Sequence, residues 1–428
     1  MNDLCRPYEL LGGGRPIPLF SIGERLLAAT AIKIELLPSQ HRLAVERKNA
    51  LEKHLERDGS PLKELIRIFY QQGSMAIGAT IKAKYRDEGF DIDIIVEVEV
   101  GSSVKPDHIL NLLYTAVRGE PGSRYFDCTE RQTRCVTVYY ADGMHLDLTP
   151  AVLLTELDPR FSFIFHSKPE EPRSNDYRIP TNSYAFADEY NQRCPVDHPF
   201  AEEYNRRVLA ADSFSAQVLA EADSVPVPQH STEVGGKSAV TVALQLLKRN
   251  RNIRYRSRQG RIPPSVMLAC LALEVAESGR TIGENLRIIA AHILREMEQA
   301  KACGKLIRVV NPRCASDCFT DRWPENSETQ EVYIKDLRLF ITQLDKFIDE
   351  SQPLKERVKS LEAMFGESPT REVVREFAIE LGQMVQSGNH GLTASGSVLP
   401  VISVLPSARP KIRSNTFFGT PWPENQNR

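Results

Sequence analysis

Residues 73–100 read GSMAIGATIKAKYRDEGFDIDIIVEVEV. From residue 91 the stretch alternates. Ile92, Ile94, Val96, Val98 and Val100 take one face, and Asp91, Asp93, Glu97 and Glu99 take the other, the pattern of a half-buried strand. Asp91 and Asp93 therefore point the same way, while Glu97 and Glu99 continue that face and read as solvated. Upstream, a strand over 65–71 (LIRIFYQ) runs into the turn Gly73-Ser74. Downstream, strands over 134–140 (RCVTVYY) and 144–148 (MHLDL) are joined by Ala141-Asp142-Gly143, and Asp-Gly is a strong hairpin signal. The second of these strands carries Asp147, with Leu146 and Leu148 on its opposite face.

Three carboxylates brought to one patch repel each other unless cations sit between them. Two Mg²⁺ ions are the usual solution, one activating an attacking hydroxyl and one clamping a triphosphate. A Gly in the upstream turn lets backbone N–H groups approach phosphate oxygens, and the Ser hydroxyl adds a donor. A solvated strand face accounts for the Asp-Ile-Asp triplet taken alone. The order strand, Gly-Ser, strand with Asp-x-Asp, strand with a single Asp is far more specific. His145 shares the face of Asp147 and reads as structural, because metal-assisted phosphoryl transfer needs no dedicated His base.

Around this centre, residues 1–20 read as an irregular lead-in, and a helix starts at Ser39 as N-cap and ends at Asp58-Gly59-Ser60-Pro61. A helix over 106–117 opens at Pro106, and 159–200, rich in Pro, Asn, Ser and Tyr, reads as mostly loop. After Gly235-Gly236 the pattern turns helical, over 237–255, 264–277, 281–302, 327–349, 354–366 and 369–386. The expected fold is α+β. A lobe over 21–200 carries the carboxylates, 201–387 forms a helical lobe, and 388–428 is a flexible tail.

With 428 residues, 41% hydrophobic and 26% charged, the chain has material for a large core. Its 54 basic and 56 acidic residues give a net charge of -2, which excludes a protein that coats nucleic acid, so stable nucleic-acid binding is not expected. No apolar run approaches the ~20 residues of a membrane span, and no secretory leader opens the chain, so the expected location is cytoplasmic. The eight cysteines are too sparse for a disulfide scaffold. Cys314–Cys318, with no second pair and no flanking His, reads as reduced thiols rather than a zinc site. Seven cations lie between Lys248 and Arg261. Lys248 suits a phosphate as a flexible point charge, and most of the others read as surface. Arg134 fits either a phosphate contact or an ion pair.

The 73–100 stretch followed by MHLDLTPAV resembles the nucleotidyltransferase core shared by DNA polymerase beta and cyclic GMP-AMP synthase. The resemblance extends to the bacterial CD-NTases, the second-messenger oligonucleotide synthetases (SMODS family) of CBASS anti-phage operons. TNSYAFADEY (181–190) is similar to that branch's Asn-Pro-x-Gly-Phe-Ala stretch, with Ser183 and Ala185 where Pro and Gly are usual. ALQLLKRNRNIRYR (243–256) with PPS (263–265) resembles its Leu-Leu-Lys-Arg helix, and VVNPRCASDCFTDRW (309–323) its Asn-Pro…Asp/Glu…Phe…Trp segment. The resemblance implies that Asp91, Asp93 and Asp147 are catalytic and hold two Mg²⁺ ions, for which Mn²⁺ can substitute. It implies that Gly73, Ser74 and Lys248 bind the triphosphate, that Ser265 lines the nucleotide pocket, and that Asp317 reads a base edge.

The function so implied is synthesis of a cyclic di- or trinucleotide from NTPs, ATP among them, with release of pyrophosphate in anti-phage signalling under CBASS regulatory partner proteins. Two alternatives stand beside it. One is a transferase of the same fold acting on RNA or protein, and the other is a catalytically silent sensor or scaffold. A docking peptide around Phe417-Phe418 is a further expectation.

Overall fold

The computed structural model describes residues 21–82, 90–101, 103–155, 158, 160–194, 196–220, 237–386, 390–392 and 398–400. The lead-in over 1–20 and the Phe417-Phe418 peptide lie outside them, as does most of the expected tail.

Two helices open the described chain, α1 (Ile22–Ile34) and α2 (Pro38–Leu55), followed by β1 (Ile66–Gln71) and a single turn, α3 (Gly73–Ala76). Next come β2 (Asp91–Val98), α4 (Pro106–Arg118), β3 (Thr129–Arg131), β4 (Val136–Tyr139) and β5 (His145–Leu153). The 159–200 region, expected as loop, instead forms β6 (Ser162–His166), β7 (Tyr177–Thr181) and α5 (Ser183–Arg193). The helical part follows with α6 (His198–Ala220), α7 (Ala239–Tyr255), α8 (Ser265–Glu274) and α9 (Ile282–Ala302). A small pair, β8 (Val310–Asn311) and β9 (Cys314–Cys318), precedes α10 (Ser327–Ile348), α11 (Leu354–Phe365) and α12 (Glu367–Gln386). Within the expected tail, β10 (His390–Leu392) and β11 (Val398–Pro400) pair antiparallel.

The main sheet runs β1-β2-β5-β4-β3, with β6 joined to β5 and β7 to β6. Its β2–β5 pair is parallel and the other pairs are antiparallel. Ile92, Ile94, Val96 and Val98 of β2 and Leu146 and Leu148 of β5 pack on α4 through Ile109, Leu110, Leu113 and Val117. The other face of β2 is less open than alternation suggests. Glu97 is fully buried, where a solvated side chain was expected, and pairs with Arg160 at 3.2 Å and Arg67 at 3.5 Å. Glu99 is exposed as expected.

Helix α1 escapes a period-based reading because it is buried nearly all round, from Gly23 through Ile34. Ser21 caps it, its hydroxyl accepting the Glu24 N–H at 3.1 Å. Ser39, expected as an N-cap, lies inside α2, and its hydroxyl donates to Asp212 of α6 at 2.5 Å. The expected lobe boundary between 200 and 201 falls inside α6. The described residues through Val374 form one compact unit, and those from Arg375 form a second.

Helix α1 packs on α7 and α9. Its Glu24 accepts the backbone N–H groups of Ile282 and Gly283, 2.9 Å each, at the start of α9. Four amides at a helix start lack intrahelical partners, and this buried carboxylate serves two of them. Glu24→Ala should therefore lower stability by about 2 kcal/mol. Urea unfolding checks this, and a change below a few tenths would show that water replaces the cap.

Candidate active site

In the parallel pairing of β2 and β5, Asp93 lies directly opposite Asp147 and Asp91 opposite His145. All four project from one face, because their neighbours Ile92, Ile94, Leu146 and Leu148 fill the core on the other. A slip of one residue would bury the carboxylates and expose the leucines, so the core fixes the constellation.

The turn before β2 closes on this patch. The Gln72 N–H donates to the Asp93 carbonyl at 3.0 Å. Gly73 has φ +61, and a Cβ there would run into the Asp93 carboxylate. Ser74 Oγ lies 3.1 Å from Thr80 Oγ1. From the helical side, Gln245 Nε2 donates to the Thr80 carbonyl at 2.9 Å and Lys248 Nζ to the Ala79 carbonyl at 2.7 Å. Gln245 and Lys248 are three apart on α7 and share one face, which brings the ammonium to the 73–80 segment beside the carboxylates. Five sequence-predicted residues thus meet: Asp91, Asp93 and Asp147 on the sheet, Gly73 and Ser74 at the turn. Lys248 makes a sixth.

Charge in this patch is unbalanced. Burial, then the nearby Asp147 and Asp91 carboxylates, push the Asp93 carboxyl up to about 7. Burial also raises Asp147, opposed by the Thr137 hydroxyl, which donates to Asp147 Oδ1 at 2.5 Å. His145 pairs with Asp91, and that hydrogen bond raises the imidazole to about 9. Burial, with Arg251 nearby, lowers Lys248 to about 7, against the pull of Asp93 and Asp91. Cys135 borders the same face, and burial pushes its thiol up to about 12, so it remains a neutral neighbour.

No three His, Cys, Asp or Glu side chains among the described residues form a ready-made metal cage. The donor set nonetheless fits a hard divalent ion. It consists of carboxylate oxygens, and the Asp147 and Asp91 charges, which add to burial in raising Asp93, are what a cation would offset.

Ser265 and Asp317 are held in other networks. Ser265 opens α8, and its hydroxyl accepts from Arg251 at 2.9 Å. Asp317 on β9 accepts from Thr181 of β7 at 2.7 Å and from Asn311 of β8 at 3.1 Å, which ties the sheet to the small β8–β9 pair. The basic run corrects the expectation of surface arginines at two positions. Arg249 and Arg251 are buried, donating to the carbonyls of Phe365 at 3.2 Å and Pro263 at 2.7 Å. Arg134 makes the ion pair, to Asp321 at 2.6 Å. Cys314 and Cys318 are free thiols. No helix among the described residues is long and apolar enough to cross a membrane.

Residues 28–162 match the Second Messenger Oligonucleotide or Dinucleotide Synthetase domain. Over 376 residues the chain is 40% identical to the cyclic dinucleotide synthase CdnG of Bradyrhizobium diazoefficiens, covering 88% of each. The chain belongs to the CD-NTase family. The chain also matches the solved structure of the CD-NTase CdnG of Bradyrhizobium diazoefficiens in complex with GTP, with TM-score 0.71 and 35% identity, covering 84% of this chain and 99% of that one. A c-di-GMP synthase of Roseivirga ehrenbergii is 23% identical over 356 residues, covering 82% of this chain and 85% of the relative. The E. coli MS115-1 CdnC:HORMA-deltaN complex shares the fold, with TM-score 0.54 and 14% identity over 81% of this chain and 98% of that one. The synthase is thus an enzyme, a nucleotidyltransferase of the cyclic oligonucleotide kind with the polymerase-beta-like α+β fold.

Thr80, Thr137 and Gln245 are polar side chains at this site that sequence reasoning passed over. Thr137 had a signal. The Asp142-Gly143 hairpin pairs it with Asp147 once the turn is taken as the centre of symmetry. Gln245 had none beyond its place one helical turn before Lys248.

Proposed function

We propose that the synthase joins two NTPs, ATP and GTP among the candidates, into a cyclic dinucleotide, with a cyclic trinucleotide as the variant of the same chemistry. In each of two steps a ribose hydroxyl attacks an α-phosphorus, the α–β phosphoanhydride bond breaks, and pyrophosphate leaves with the electron pair. The observation that carries this reading is the facing of Asp93 and Asp147, with Asp91 on the same face and Gly73-Ser74 closed against Asp93. The name and the bound GTP of the CdnG relative support a dinucleotide and a guanine substrate.

Asp91, Asp93 and Asp147 would hold two Mg²⁺ ions, or Mn²⁺ in their place, which when bound lower the pKa of the attacking hydroxyl and neutralise charge on the triphosphate. Gly73 leaves room for phosphate oxygens at the turn, and the Ser74 hydroxyl donates to them. Lys248 supplies a positive charge to the β- and γ-phosphates, and that contact would restore the protonation that burial weakens. Positioning and charge neutralisation then carry most of the rate. The resemblance to anti-phage synthetases supports a cytoplasmic signalling role under CBASS regulatory proteins, with Ser265 and Asp317 bordering the nucleotide pocket.

Purified protein incubated with four radiolabelled NTPs and Mg²⁺ or Mn²⁺ tests this, with Asp91→Ala/Asp93→Ala as control. A phosphatase-resistant product absent from the control is expected, and omitting NTPs singly names its bases. Phosphatase-sensitive or protein-linked label would instead assign the RNA- or protein-directed transferase. Lys248→Met should weaken NTP binding by roughly 10- to 100-fold, since a charge-assisted phosphate contact contributes about 1.5–3 kcal/mol. Equilibrium binding of a non-hydrolysable NTP checks it, and unchanged affinity would remove Lys248 from the site.

A further inference from the structure

We infer that Thr137 is a positioning residue that sets the divalent-cation affinity of the carboxylate patch by holding Asp147 in its working orientation. The inference rests on the metal-binding reading above and goes beyond it to a residue that does not touch the ion. Thr137 is buried on β4, directly opposite Asp147 in the antiparallel pairing with β5. Its hydroxyl donates to Asp147 Oδ1 at 2.5 Å, the short end of the range for a hydroxyl on a carboxylate. A carboxylate on a strand can swing about its side-chain torsions. One strong donor on one oxygen removes that freedom and leaves the other oxygen to act as the ligand.

Both β4 and β5 are held by the core through Val136, Val138, Leu146 and Leu148, so the donor cannot drift from its acceptor. Outer partners of metal ligands typically change affinity by about 10–100-fold when removed.

The test measures Mn²⁺ binding directly, by the loss of the free-ion EPR signal, in the full-length wild type, Thr137→Val and Thr137→Ser. Thr137→Val keeps the shape and removes the donor, and thermal unfolding confirms that each variant is folded. The expected result is an apparent Kd about tenfold higher for Thr137→Val and near wild type for Thr137→Ser. Steady-state kinetics should follow, with the Mg²⁺ requirement of Thr137→Val moved up and its turnover largely recovered at saturating metal. Wild-type affinity in Thr137→Val, or no rescue by Thr137→Ser, overturns the positioning role and leaves the metal site standing. A wild type that binds no Mn²⁺, with the Asp91→Ala/Asp93→Ala control indistinguishable from it, overturns the metal reading and this inference together.

Discussion

Asp93→Asn is expected to reduce turnover by at least about 10³-fold while making the metal-free protein harder to unfold. On the proposed two-metal reading, the catalytic loss follows from removing an oxygen that would ligate a cation, with its charge, from the centre of the patch, worth ~4 kcal/mol or more at the transition state. The stability gain follows from the raised carboxyl. Folded Asp93 holds its proton up to about 7, against an ordinary value of 3.8. Ionising it therefore opposes folding. The penalty is absent below about pH 4, grows as pH rises toward 7, and is complete above it. The side chain is half-buried, so the full shift is discounted by about half, giving a gain for the Asn variant of about 2 kcal/mol at pH 8 in EDTA. Near pH 4 the gain should vanish. Added Mg²⁺ should stabilise the wild type and leave the variant unmoved, because only a ligand of the folded state shifts unfolding. Denaturant titrations at the two pH values and one turnover assay decide it. A variant that keeps a tenth of wild-type turnover would remove Asp93 from the centre of the reaction.

Gly73→Ala should be nearly as damaging, through sterics alone. The residue sits at φ +61, where an L side chain costs roughly 1–2 kcal/mol, and its new methyl would meet the Asp93 carboxylate. One of two things must then move, the turn that carries Ser74 or the carboxylate itself, and either spoils the alignment. We expect a fall in turnover of about 10²–10³-fold. Gly78→Ala is the matched control. Its φ is +65, and a Cβ there meets nothing within 4 Å. It should bring the same backbone cost in stability and leave turnover within a few-fold of wild type. Equal losses in the two variants would mean that backbone strain, rather than contact with Asp93, explains the effect.

Much of this was legible because the core writes itself into the sequence at a period of two. Ile92, Ile94, Leu146 and Leu148 had to face inward, which left Asp91, Asp93 and Asp147 no choice of direction. Helices α9, α10 and α11, with one apolar stripe each, were readable for a similar reason. The failures have equally local causes. Helix α1 is buried on nearly all sides and so carries no stripe. Strands β6 and β7 are only five residues each, with Pro180 in the second, and they sit in a region whose composition resembles loop. Glu97, Arg249 and Arg251 read as surface because charge is usually solvated, yet each is buried against partners 60 to more than 100 residues away in sequence or across a turn. Ser265 and Asp317 were placed by resemblance alone, and their hydrogen-bond partners could not be read from spacing.

The clasp between Glu24 and the start of α9 bears on how the protein is made. Its two halves are separated by 258 and 259 residues. At ribosomal speeds of about 5–20 residues per second, α1 waits roughly 13–50 s for the amides it caps. The strands that carry the three aspartates are all synthesised by Leu153, long before Lys248 and α9 leave the ribosome. A half-made chain therefore holds the carboxylates without the ammonium and without its clasp.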